Sequence, residues 1–201
     1  MNRGPKYEVA TALADEFVDG QRHGYLVAVG ADGFPRTSIV PFVREGDVID
    51  LHIPRTDPTF DALSANLKVT FLVADYLAHS PHQWVDPNDA GRSTLHFRAV
   101  EFLCEATAST EPDDVAASLR KLITAYDGQG DHQPIADGDF YGPRLRLLAA
   151  VSLRIVSSQA RFKTGPYGSP ELKRTVIERL RERAAPGDER AAAVIESYLP
   201  R

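Results

Sequence analysis

A single cysteine in 201 residues, Cys104, rules out a disulfide framework and any zinc-knuckle spacing. It lies in an apolar, strand-like run, where a free thiol is most often a buried packing group. Long hydrophobic runs are missing as well. No stretch reaches the roughly 18 apolar residues of a membrane span, and the opening MNRGPKYE has no signal-peptide core. Together these absences predict a soluble, cytoplasmic protein with no membrane partner. Positive charge is in deficit: the net charge is −5 and the pI about 5.7, which argues against a large phosphate-neutralising surface. Neither GxGxxG nor GxxxxGK occurs, excluding the dinucleotide-binding and nucleotide-triphosphatase readings. No nucleophile-elbow glycines frame Ser38 or Cys104, so nucleophilic hydrolysis is poorly supported. His79 and His82 sit three apart with His96 downstream, but Pro81 breaks helical geometry between the first two and no carboxylate has the usual spacing. The expectation is no metal site.

What is present suits a packed globular chain. Apolar residues make up 43% and charged residues 25%, and the length fits one domain or a domain completed by dimerising. Apolar spacing from Tyr7 to Val18 predicts a helix that Gly20 ends. Tyr25–Gly30 is a short apolar run between glycines and reads as a strand buried on both faces. Asp32-Gly33 is a hairpin turn signal. It leads into a strand over Arg36–Val43, and Glu45-Gly46-Asp47 turns into another over Val48–Ile53. Three strands joined so tightly form a meander, which is how small antiparallel barrels begin. Asp57-Pro58 is a helix start, an N-cap carboxylate followed by proline at the first helical position. A strand over Lys68–Asp75 precedes a long loop, Tyr76–Ser93, carrying the lone Trp84 as a loop anchor or a ligand cover. A long strand spans Thr94–Thr107, a helix carries Val115, Leu119, Leu122 and Tyr126, and a short helix over Arg144–Ala149 precedes a last strand, Val151–Val156. Two charged helices, Pro170–Ala185 and Asp188–Leu199, close the chain. The order predicts an α+β fold around an antiparallel sheet, with a barrel as the favoured closure.

The stretch from Gly33 to Leu63 carries more hydrogen-bonding groups than a hairpin needs. Arg36, Thr37, Ser38, His52, Arg55 and Thr56 read either as an anion site beside the start of the following helix or as a solvated strand face with a helix cap. Arg161 and Lys163 flank Phe162 after the last strand and close such a site from a second direction or form a basic strand end. The helix ELKRTVIERLRER has the densest positive charge, with Lys173, Arg174, Arg179 and Arg181, and is the one nucleic-acid surface the sequence offers.

Taken together, these segments resemble the PaiB-like family of FMN-binding negative transcriptional regulators, within the FMN-binding split-barrel superfamily that includes pyridoxamine-phosphate oxidase relatives. The resemblance rests on Phe34–Phe42 with Ser38 and Pro41, on LHIPRTDPTFDAL with His52, Arg55 and Pro58, on the Ser80-Pro81…Trp84 loop, and on Arg161-Phe162-Lys163-Thr164-Gly165 before the charged helix. It implies an FMN-binding split-barrel domain over residues 1–165, a C-terminal helical extension over 166–201, and a homodimer with FMN at the subunit interface. By resemblance, the phosphate and ribityl end falls to Arg36, Thr37, Ser38, Arg55 and Thr56, and the ring to Ile39, Val40, His52 and Ile53. Arg161 or Lys163 approaches from the partner subunit. The implied activity is that of a flavin-dependent oxidoreductase or a flavin-responsive transcriptional regulator. A non-catalytic regulator and a haem-binding split barrel using His79, His82 or His96 are the alternatives. Asp57 is the discordant group, because a carboxylate near a phosphate opposes binding unless Arg55 neutralises it or it turns away to cap its own helix.

Overall fold

The computed structural model describes residues 9–128, 130–163 and 169–199. In chain order the elements are α1 (Thr11–Asp19), β1 (Gly24–Val29), β2 (Pro35–Val40), β3 (Val43–Glu45), β4 (Val48–Pro54), α2 (Pro58–Ala65) and β5 (Lys68–Ser80). There follow β6 (Thr94–Ser109), α3 (Pro112–Asp127), α4 (Gly142–Leu145), β7 (Leu148–Phe162), α5 (Pro170–Arg183) and α6 (Asp188–Ser197). The seven strands form one sheet in the order β2-β1-β5-β6-β7-β4-β3. The pairs β1–β2, β1–β5, β3–β4 and β4–β7 are antiparallel. β2 and β3 end the order, so the sheet is not closed; the fold is α+β with an antiparallel split barrel. Tyr7, Thr164, Gly165 and the expected boundary at 165/166 lie outside the described residues.

The chain divides into two compact units. The first comprises residues 15–73 and 101–159. Its inward-facing positions alternate along the strands as a half-buried sheet requires, with Leu26 on β1, Phe71 on β5, Ile49, Leu51 and Ile53 on β4, and Leu153 on β7 all fully buried. Gly24 is there for space, since a Cβ would lie 2.3 Å from the Phe71 ring. Gly33 takes φ +80° in the β1–β2 turn, a conformation glycine adopts freely. α3 covers the opposite face of β4 and β7, where Val115, Ala116, Ile135 and Leu145 form a second core with Leu148 and Ala150 at its rim. Ser118 Oγ ties the helix to β4 by donating to the Leu51 carbonyl at 3.0 Å.

The second unit holds residues 1–14, 74–100 and 160–201. Its core joins Leu77 and Ala78 of β5 to Val176, Ile177 and Leu180 of α5 and Ala191, Ala192 and Ile195 of α6. Asp75 on β5 is clasped twice, by Arg98 of β6 at 2.8 Å and Arg190 of α6 at 2.5 Å. Asp188 at the start of α6 holds Arg183 at 2.5 Å.

Three sequence expectations need correction. β1 is buried on one face only: Gly24, Leu26 and Ala28 are inside, while Tyr25, Val27 and Val29 face outward. An apolar run without polar alternation resembles a two-sided strand, but on that face Tyr25 and Val27 are only half-buried and Val29 is exposed. The predicted loop from Tyr76 begins only at Pro81, because β5 runs on to Ser80 before two short 3-10 turns at His82–Trp84 and Ala90–Arg92. The short helix expected over Arg144–Ala149 sits at Gly142–Leu145, and Ala149 already belongs to β7.

Candidate functional site

β2 has a two-residue period, so its predicted ligand residues divide between two faces. Arg36, Ser38 and Val40 face inward, with Ser38 and Val40 buried, whereas Thr37 and Ile39 face outward and are exposed. The same division separates His52 from Ile53 on β4. Ile53 is fully buried in the sheet core. His52 lies on the face under α3, beside Ala150 of β7 in register, with its Nδ1 buried and unpartnered. Burial holds its pKa below the ordinary histidine value.

The cluster around the start of α2 is already internally bonded. Ser38 Oγ donates to Asp57 Oδ1 at 2.7 Å, the Thr59 amide donates to the same oxygen at 2.8 Å, and the Ser38 and Thr59 hydroxyls meet at 2.5 Å. Asp57 is therefore the N-cap of α2. Burial pushes its pKa up, but the hydrogen bonds from Ser38 and the Thr59 amide outweigh it and hold the carboxyl below its ordinary value. Arg55 is committed to backbone: Nε donates to the Leu148 carbonyl at 2.9 Å and Nη2 to the Thr110 carbonyl at 2.5 Å. Arg36 pairs with the exposed Asp32 at 2.6 Å. Thr56 is exposed and has no part in this network. The Asp-Pro pair signals the cap in the sequence. Nothing local signals its Ser38 partner, which is 19 positions away.

The outward face of the first unit has the opposite character. Register aligns Ile39 with Tyr25 and Leu72, Thr37 with Val27 and Thr70, and Pro35 with Val29. Ile39 and Phe34 are each 67% exposed and Val29 is 38% exposed. β2 is also a terminal strand of the sheet, leaving one row of its backbone donors and acceptors outside the ladder. An uncovered apolar face beside an edge strand is unusual for a surface that stays in water. An open cleft of about 480 Å³ lined by Val43, Glu45, Ala117 and Lys121 lies elsewhere and shares no residue with the predicted site.

In the second unit, Arg161 is exposed, and Lys163 is half-buried with its amide donating to the Phe97 carbonyl at 2.8 Å. Trp84 is a loop anchor: it packs on the Leu77–Val176–Ile195 core, and the Arg183 guanidinium carbon lies 4.9 Å from its ring centroid. Sequence reasoning missed the buried pair Ser80–His96, with Ser80 Oγ 2.6 Å from His96 Nε2. Burial, aided by the charges of Lys163 and His79, lowers the His96 pKa to about 4, so the imidazole is neutral at physiological pH. The cations of ELKRTVIERLRER face carboxylates: Arg174 meets Glu171, Arg179 meets Glu182, Arg181 meets Glu189 and Glu196, and Lys173 is buried. Among the described residues no three His, Cys, Asp or Glu side chains gather as a metal would need, and no helix is long and apolar enough to cross a membrane.

A family described as "Putative FMN-binding domain" matches residues 2–156. The chain belongs to this FMN-binding domain family. FMN is accordingly its cofactor, and the split barrel is shared with solved structures. A flavocytochrome from Azotobacter vinelandii is 17% identical, covers 86% of this chain and 77% of its own, and superposes with a TM-score of 0.63. A FAD and haem binding protein from Mycobacterium smegmatis is 16% identical over 83% of this chain and 78% of its own, at 0.62. A conserved hypothetical protein from Mycobacterium tuberculosis is 17% identical over 84% of this chain and 96% of its own, at 0.58. No curated relative matches. Tested against the FMN-binding family's cofactor, the residues split. The exposed apolar face and free edge of β2 fit a planar ring whose rim hydrogen-bonds to backbone. The Ser38–Asp57–Thr59 network does not fit a phosphate, since its donors are taken and its centre is anionic.

Proposed function

We propose that this chain is a cytoplasmic flavoprotein oxidoreductase that works as a homodimer, with the flavin ring on the outward face of β2 and a second copy covering that face. The observation that carries the reading is the outward apolar row Ile39–Tyr25–Leu72 next to the free backbone edge of β2. Thr37 and Ile39 and the outer backbone groups of β2 would hold the ring. Arg161 and Lys163 remain candidates to approach it from the second copy. When bound, the flavin supplies hydride or single-electron transfer, so the chain's own residues need only bind it, orient it and exclude water. The names of the flavocytochrome and of the FAD and haem binding protein support a redox role.

The PaiB-like resemblance keeps a regulatory role as the alternative outcome of the test. The carboxylate-paired cations of α5 do not favour it, because a surface of mixed sign gives little phosphate attraction. A haem role would need His79, His82 or His96 as an axial ligand, and of these His96 already has its Nε2 2.6 Å from Ser80 Oγ. Oxidation of a reduced nicotinamide by the purified protein with FMN tests the enzyme reading. Flavin-dependent DNA retention with no such turnover would replace it by the regulatory one.

A further inference from the structure

We propose that Pro41 and Pro54 hold open the seam between β2 and β4, and that the backbone groups this leaves unpaired at Thr37 and Ile39 are what the rim of the flavin hydrogen-bonds to. The inference rests on the flavin-binding reading above and names the feature that keeps its site free.

β2 and β3 are separated in the chain only by Pro41 and Phe42, yet they stand at opposite ends of the strand order. Successive residues of a strand aim their backbone groups to opposite sides, so the register tells which of them are free. In the β1–β2 hairpin the Gly30 amide donates to the Phe34 carbonyl, and two-residue steps from that pair turn Arg36, Ser38 and Val40 toward β1. Thr37 and Ile39 therefore aim their backbone groups away from β1, where no described residue pairs with them. On β4, the Arg55 amide donates to the Leu147 carbonyl and the Asp47 carbonyl accepts from the Ile155 amide, which gives the odd positions to β7. Val48, Asp50, His52 and Pro54 face the other way. β3 takes the first two, Glu45 opposite Val48 and Val43 opposite Asp50.

Carried on into β2, that register sets Pro41 against His52 and Ile39 against Pro54. β2 and β4 do approach each other, but they do not pair. Neither proline has an N–H, so each of these pairs is short of one of its two bonds. The Pro54 carbonyl is also engaged, by the Asp57 amide at 3.0 Å. Pairing thus stops with β3, and the backbone groups of Thr37 and Ile39 face a gap. Both residues are exposed, and their side chains lie on the outward face that carries the apolar row Ile39–Tyr25–Leu72. A planar ring on that row has the gap beside it. The carbonyls and N–H along a flavin's pyrimidine edge match the amides and carbonyls that alternate there.

Hydrogen exchange of the intact protein, resolved by residue with and without FMN, tests the unpaired groups. An FMN fluorescence titration of the double variant Pro41→Val, Pro54→Val, which restores both amides, tests the prolines. Without FMN, the Thr37 and Ile39 amides should exchange at least about tenfold faster than those of Ser38 and Val40, and FMN should slow them by about tenfold or more. In the variant the amides restored at positions 41 and 54 should be protected, and the dissociation constant for FMN should rise about tenfold. Slow exchange at Thr37 and Ile39 in the free protein, FMN binding that leaves them unslowed, or a variant that binds FMN as wild type does overturns the inference while the flavin-binding reading stands. Failure of wild-type protein to bind FMN overturns that reading, and the inference with it. Should a melting curve show that the double variant has lost its fold, Thr37→Pro decides, since it removes one free amide and no bond of the β1–β2 ladder. A loss of about tenfold in FMN affinity then upholds the inference, and unchanged affinity overturns it.

Discussion

Substitution at Asp57 separates capping from charge. Asp57→Ala removes at once the acceptor for Ser38 Oγ and for the Thr59 amide, leaving the helix-end donor without a partner and the Ser38 hydroxyl with the Thr59 hydroxyl alone. The loss should be about 1–3 kcal/mol in chemical denaturation, against less than about 0.5 kcal/mol for Asp57→Asn, which keeps a cap. His96 gives a second test at this scale. Its folded pKa of about 4 lies below the ordinary 6.5, so its contribution to stability is complete above 6.5 and lost as pH falls toward 4. Its ring proton resonances should stay fixed from about pH 8 to about pH 5.5, and a titration near the ordinary value would show that the ring is not buried. Legibility at this scale was partial. Asp-Pro announces its cap, while Ser38 and Ser80 reveal nothing, because their partners arrive from distant elements, α2 for Ser38 and β6 for Ser80.

Among the elements, the α5–α6 hairpin is held to β5 by one apolar core and by charge clamps, and the two make separable predictions. Leu180 is fully buried between α5 and its neighbours, so Leu180→Ala should lose about 2–5 kcal/mol, read from the unfolding midpoint. Asp75 is shared by Arg98 and Arg190. Burial raises its pKa, but the two arginines overcome this and hold it below its ordinary value. Its contribution is therefore present above pH 3.8 and lost as pH falls below that through the folded value. At neutral pH Asp75→Asn should destabilise by about 2–3 kcal/mol, since it leaves two guanidinium groups facing a neutral amide; at low pH the difference from wild type should shrink. The helices and the meander were readable from period and turn signals. β1 was not read correctly, because five apolar residues in a row look alike whether the second face meets a helix, a ligand or another chain.

For the whole molecule, the outward row Ile39–Tyr25–Leu72 distinguishes a chain complete by itself from one completed by a copy and a cofactor. Ile39 is 67% exposed, so Ile39→Glu should leave unfolding within about 0.5 kcal/mol of wild type if nothing covers it. The proposed dimer instead predicts a shift of Ile39→Glu toward monomer in sedimentation, since a charge at an interface centre is strongly opposed. The FMN-binding family was legible in the sequence through LHIPRTDPTFDAL, but the division of the β2 residues between two faces was not, because strand alternation is visible only once the sheet has a covered side. The most direct measurement is an FMN fluorescence titration of wild type beside Ile39→Glu. The account predicts saturable quenching by wild-type protein and its loss in the variant. Flavin fluorescence unaltered by wild-type protein up to roughly 100 µM, or quenching identical in both, would contradict it.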